Sequence, residues 1–261
     1  MKIFRTLNDW RDERRRWHSQ NIGFVPTMGA LHAGHLSLVA KARQENPRVA
    51  VSLFVNPTQF DAPDDLANYP RDTENDLRLL KAAGVDAVLM PDAEQLYPDD
   101  YAYQIREKVF SRDLCGQHRP GHFDGVLTVV MKLLNLVQPH RAYFGEKDYQ
   151  QLVLIQGMVQ AFFLPYEIIG CPIVREADGL AMSSRNRRLN PQQRQIAARL
   201  YAILSSADSV DTAWKQLQEI FDGVDYVRDW QGRRLAAVRL GPVRLIDNVV
   251  LPASDNNGAR P

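Results

Sequence analysis

FVPTMGALHAGHLSLV, Phe24 to Val39, passes from an apolar strand pattern into a helical one across a run of small residues that carries two histidines, His32 and His35. A strand that ends in glycines and opens a helix presents free backbone N–H groups and lets a ligand come close to the main chain. An imidazole at that place can donate hydrogen bonds to phosphoryl oxygens as charge builds on them. The structural alternative is that His32 caps the helix and His35 packs inside it.

Outward from this stretch the pattern repeats. NIGFVPT reads as a buried strand ended by Pro26, and the helix that follows stops before Pro47. VAVSLFVNP is almost continuously apolar, as expected for a parallel strand covered on both faces. A helix near Thr73 to Ala83, a strand DAVLMP, a helix DGVLTVVMKLLNLVQP, a strand RAYFGEKD, a helix YQQLVLIQGMVQAFF and a strand PYEIIGCPIV come next. Before all of these, residues 4–19 read as an amphipathic helix with Leu7, Trp10 and Trp17 as its buried positions. The alternation defines an α/β chain: a Rossmann-like parallel sheet flanked by helices. After about residue 180 two consecutive helices precede three short strands, which predicts a smaller α+β C-terminal lobe. The expected domains are 1–174 and 175–261, with PASDNNGARP as a loose tail.

Composition narrows the function classes. The chain has 261 residues, 45% hydrophobic and 24% charged, with a formal net charge of +1. That balance gives no global basic field and no argument for nucleic acid. There is no apolar run of about 18 residues and no signal-peptide pattern, and Cys115 and Cys171 lie far apart. A cytoplasmic protein without a membrane partner is expected. GxxxxGK[ST] and GxGxxG are both missing, so neither a Walker loop nor a dinucleotide fingerprint is supported.

In open α/β sheets ligands bind beyond the carboxyl ends of the strands. TMGALHAGH, NPTQF and FGEKD fall there, with MSSRN at the lobe junction. Lys147 offers a compact charge for a polyphosphate, Ser183 and Ser184 offer hydroxyls, and Arg185 a fixed cation. Gln59 could bind a neutral or carboxylate-bearing substrate through its amide. Gln150 and Gln151 open a helix in the same layer, and Gln150 reads as a helix-surface residue.

VPTMGALHAGH, FVNPTQF, RPGHFDGVLTVV, FGEKDYQQL and VREADGLAMSSRN, in this order from Gly23 to Leu189, closely resemble the pantothenate synthetase (pantoate–β-alanine ligase) family, and RLIDN at Arg244 to Asn248 continues the likeness. HAGH is shared with the wider nucleotidyltransferase and class I synthetase superfamily; the ordered set is specific. The resemblance implies condensation of (R)-pantoate with β-alanine at the expense of ATP, through pantoyl adenylate, in coenzyme A precursor biosynthesis. It implies an ATP loop of Met28, Gly29, Ala30, Leu31, His32, Ala33, Gly34 and His35. Gly145, Glu146, Lys147, Asp148, Val174, Met182, Ser183, Ser184 and Arg185 would complete the nucleotide site. His35, His32, Lys147 and Arg185 would be catalytic, Gln59, Gln151 and Asn56 would hold pantoate, and Gln59 would also meet β-alanine. Arg119 and His122 lie in a matching segment without an assigned role. Magnesium is expected with the nucleotide and not in a protein cage, and a homodimer is expected by analogy. The region after MSSRN reads as short for the family, which predicts a shortened lid.

Three rival readings remain open at this point. A nucleotidylyltransferase would share HAGH and the fold but act on a phosphate acceptor. A zinc-dependent hydrolase could enlist His32, His35, His118 and His122, with Asp124. A nucleotide-binding protein without turnover would keep the polar groups and lack the chemistry.

Overall fold

The computed structural model describes residues 1–61 and 63–252 and divides into two compact units, 1–174 with 182–184, and 175–181 with 185–261. The tail expected after Pro252 lies outside the described residues.

The first unit contains β1 (Lys2–Phe4), α1 (Leu7–Arg16), β2 (Ile22–Thr27), α2 (Ala33–Glu45), β3 (Arg48–Leu53), α3 (Pro63–Ala67), α4 (Thr73–Ala82) and β4 (Ala87–Leu89). α5 (Ala93–Leu96), α6 (Cys115–His118), α7 (His122–Val137), β5 (Arg141–Gly145), α8 (Tyr149–Ala161) and β6 (Glu167–Cys171) complete it. The six strands form one sheet in the order β1-β4-β3-β2-β5-β6, every pair parallel. From β2 the chain builds outward through β3 and β4, then returns to add β5 and β6 on the other side. The reversal point is therefore between β2 and β5.

Alternation along the strands supplies two cores. Val25, Val49, Val51 and Val88 pack with Leu38, Val39 and Ala42 of α2 and Leu80 of α4. Phe24 and Ala50, one residue out of step, are buried on the opposite face. There α7 meets β2, α1 and α8. Trp10 fixes α1 in place: its ring is edge-on to Phe4 and Trp17, and its indole N–H donates to Leu136 O at 2.8 Å.

Two expectations need correction here. Residues 2–4 are a strand, and the first helix starts only at Leu7, after Thr6 caps it by accepting from Asp9 N–H. A three-residue edge strand paired only with β4 has too short a pattern to be read in isolation. Pro26 does not end β2 but lies within it, opposite Ser52 of β3. Its missing N–H faces the β5 side, the same side on which Ile22 O accepts from His140 N, and the β2–β5 ladder ends at Phe24. A proline is tolerated where a strand has no partner to donate to. The two strands consequently part before their carboxyl ends.

The turn after β3 is held against the start of α7. Asn56 caps the 3-10 turn Pro57–Gln59 and donates to Gly125 O at 3.2 Å. Gly125 has no side chain because a Cβ would run into the carbonyl oxygen of Thr58.

The second unit has α9 (Pro191–Ser206), α10 (Val210–Gln218) and the antiparallel strands β7 (Gly223–Trp230), β8 (Arg233–Leu240) and β9 (Val243–Val250). Leu200, Leu204 and Leu217 of the helices pack on Val227, Val238 and Leu245 of the sheet. Arg175 closes this unit with two bonds to Asp247, at 2.6 and 3.0 Å, and lies over the Tyr201 ring.

Gly125→Ala should cost about 1–3 kcal/mol by overpacking the α7 contact. Urea denaturation of the variant beside the parent measures it; an unchanged midpoint would show that the turn yields freely.

Candidate active site

The loop after β2 is shaped by one buried carboxylate. Asp76, on α4 and 2% exposed, accepts from Ala30 N at 2.9 Å and from Leu31 N at 2.7 Å. Gly29 and Ala30 take left-handed backbone, φ 79° and 50°, the second uncommon for a residue with a Cβ. Thr27 Oγ1 accepts from Gly29 N and donates to Ser52 O, which ties the loop back to β3. Two N–H groups of the loop are thus spent inward, on a residue that no motif marked.

At the N-terminus of α2 the two histidines hold the start of the helix. His32 is the cap: its Nδ1 accepts from Gly34 N at 3.2 Å, while His35 Nδ1 accepts from His32 N at 3.4 Å. Each ring therefore carries its proton on Nε2, and the two rings lie 4.1 Å apart, centroid to centroid. Burial first, then the neighbouring His32, lowers the His35 pKa to about 3, with Asp148 pulling the other way and Lys147 adding the smallest push downward. His35 is a neutral donor at pH 7. The first turn of α2 has no acidic residue to offset the positive end of its dipole.

Beside β2, at the end of β5, Glu146, Lys147 and Asp148 form a 3-10 turn that leads into α8. Lys147 Nζ lies 3.9 Å from an Asp148 carboxylate oxygen. Met182 pairs with Val174 through its N–H, and a methyl group built on Gly34 would sit 3.7 Å from Met182 Cβ. Ser184 is buried, its Oγ 3.3 Å from the Tyr69 hydroxyl, and Ser183 precedes it. Arg185 falls in the second unit.

Gln59 is held through both of its ends. Asn56 donates to Gln59 Oε1 at 3.0 Å, which fixes the orientation of the amide. Asn56 itself is 1% exposed, and its Oδ1 accepts from the Tyr97 and Thr58 hydroxyls at 2.8 and 3.0 Å. Its polar atoms are engaged inside the fold, the side-chain NH2 with Gln59 and the Gly125 carbonyl. The main-chain carbonyl of Gln59 accepts from His122 and Arg119. The Asp148 charge opposes the lowering of the pKa of both His122 and His35.

Gln151 is half-buried in the first turn of α8. Gln150 departs from the expected helix surface. It is buried, accepts from Cys115 N and donates to Phe110 O and Asp113 O, pinning the segment before α7. Tyr97 and Asp76 carry no motif signal, and Gln150 sits in a motif without its role being marked; each works on a partner distant in sequence. The zinc reading loses its ligands: His122 is engaged with Gln59 and Arg119, and no three His, Cys, Asp or Glu among the described residues converge to hold a metal.

An open parallel sheet with a helix N-terminus, a pair of imidazoles and a lysine at its reversal point defines a nucleotide-using enzyme of the α/β class. A family model for pantoate-beta-alanine ligase matches residues 2–250. The pantothenate synthetase of Legionella pneumophila is 52% identical over 252 residues, covering 96% of this chain and 100% of the relative. The pantoate–β-alanine ligase of Francisella tularensis, solved with β-γ ATP and β-alanine, is 40% identical with a TM-score of 0.92, covering 96% of this chain and 97% of the other. A pantothenate synthetase structure from Thermus thermophilus is 43% identical with a TM-score of 0.90, covering 97% and 100%. The chain belongs to the pantoate–β-alanine ligase family. These relatives are matched over essentially their full length.

Two outcomes are expected. Asp76→Asn leaves one loop N–H facing an amide NH2 and should cost about 1–3 kcal/mol, with a higher KM for ATP; urea melts and initial rates check both. His35 and His122 titrate near 6.5 when unfolded and near 3 when folded. Their contribution to stability is full above 6.5 and falls as pH drops below it. The urea midpoint should therefore fall between about pH 7 and about pH 5, a range in which ordinary carboxylates stay largely ionised.

Proposed function

We propose that this chain condenses (R)-pantoate with β-alanine, forming pantothenate, AMP and pyrophosphate through pantoyl adenylate, with the site residues described above. Membership of the family, at 52% identity to a relative matched from end to end, carries the reaction. The assignment of individual residues rests on the family motif and on local geometry.

A pantoate carboxylate is already ionised at neutral pH, so attack on the α-phosphorus needs no general base. It needs alignment and charge stabilisation along the triphosphate. His35 and His32 would supply Nε2–H donors at the positive end of α2, and Lys147 a full charge from the end of β5. Met28 to Gly34, with Gly145, Glu146, Asp148, Val174, Met182 and Ser184, would border the nucleotide; Ser183 and Arg185, taken over from the family motif, would grip phosphate. The Gln59 amide and Gln151 would bind pantoate, and Gln59 would also meet β-alanine. In the second step the β-alanine amine attacks the acyl carbon, the acyl–oxygen bond to phosphate breaks, and AMP leaves.

Magnesium bound to ATP would neutralise phosphate charge. The described residues offer no three-ligand cluster for it, so the proposed place is on the triphosphate oxygens. A cytoplasmic homodimer belongs to the same proposal: both cysteines are free and buried, as suits a reducing compartment, and dimerisation rests on family likeness. No described helix is long and apolar enough to cross a membrane.

Pyrophosphate exchange into ATP, with magnesium and pantoate, tests the first half-reaction. His35→Ala should slow pantoyl adenylate formation by about 10²–10³ while the protein stays folded. Near-normal single-turnover adenylation in that variant would remove His35 from its role.

A further inference from the structure

Arg119 and His122 take no part in the steps above, yet both close on the main chain of Gln59. His122 lies at the start of α7, 9% exposed, with Nδ1 2.7 Å from Gln59 O. Arg119 NH2 reaches the same oxygen at 3.2 Å. A guanidinium only donates, so its NH1, 3.1 Å from His122 Nε2, makes that nitrogen an acceptor. The proton of the neutral ring is thereby fixed on Nδ1, which then donates to Gln59 O. Arg119 is itself held by Asp61, Nε to Oδ1 at 2.8 Å. The order of control runs from Asp61 to Arg119 to His122 to Gln59.

This arrangement differs from that of His32 and His35, whose protons sit on Nε2. There Nδ1 accepts from main-chain N–H groups; here it donates into the protein, onto the backbone of a residue whose amide is proposed to hold the acid. Gln59 is thus fixed at its carbonyl by α7 and at its side-chain oxygen by Asn56. With both fixed, the direction of its NH2 is set before any acid arrives, which spares ordering cost on binding.

We infer that His122 is a positioning residue for acid recognition, its tautomer set by Arg119 and its effect exerted through the Gln59 carbonyl. The inference rests on the reading of Gln59 as the group that holds pantoate. Burial and the adjacent guanidinium also keep the ring neutral, with a pKa lowered to about 3, so the arrangement persists across the neutral range.

The amide nitrogen of asparagine falls near the place of Nδ1, and that of glutamine near Nε2. Steady-state kinetics of His122→Asn and His122→Gln, in the full chain with pantoate, β-alanine and magnesium ATP, therefore separate hydrogen bonding from packing. His122→Gln should raise the KM for pantoate about tenfold with the KM for ATP within about twofold of the parent, and His122→Asn should recover most of that loss. In a Gln59→Ala background the glutamine change should add less than about twofold, because the effect runs through Gln59. An unchanged pantoate KM in His122→Gln, equal losses in both variants, or full additivity with Gln59→Ala would each overturn the inference. A parent enzyme that makes no pantothenate would overturn the reading of the reaction instead, before any variant is compared.

Discussion

The absence of one hydrogen-bond donor organises the site. Pro26 has no N–H to offer toward β5, and the ladder between β2 and β5 ends two residues earlier, at Phe24. Because the strand order reverses at the same pair, the two elements that follow them are left facing one opening instead of a closed sheet edge. The helix that begins at Ala33 and the turn Glu146–Asp148 both arise there. β2 keeps its position through the opposite ladder, paired with β3 from Ile22 to Thr27.

What faces that opening is held from behind. Asp76 pins the left-handed Ala30, Asn56 pins the amide of Gln59, and Tyr97 pins Asn56 in turn. Each holder is buried and each held group is on a loop. Loops provide chemistry only when their freedom has been removed, and here side chains from α4, from the segment after α5 and from α7 remove it.

The sequence is most legible where information is local. The strand-to-helix passage at Phe24–Val39, the apolar run of β3 and the helix stop before Pro47 are all readable because periodicity and capping act within a few residues. The histidines are also readable, although their tautomers are not, since these depend on which backbone N–H each Nδ1 meets. Asp76 looks like an ordinary first-turn acid of α4, and its partners lie 45 and 46 residues away. Gln150 looks like an exposed helical polar residue, and only the path of residues 110–115 over it reveals its role. Pro26 reads as a strand end because a single chain does not say which edge of a strand lacks a partner.

The neutrality of His35 has a consequence for turnover. A fixed cation attracts phosphate over the whole screening length, about 8 Å in physiological salt, and holds a departing product as strongly as an arriving substrate. An uncharged imidazole acts only within hydrogen-bond reach and along one direction, so its grip is strongest when the phosphoryl oxygen is correctly placed and weakens steeply once it moves. In the role proposed for it, such a donor would discriminate by geometry more than by charge and would favour escape of pyrophosphate once the bond to the α-phosphorus is broken.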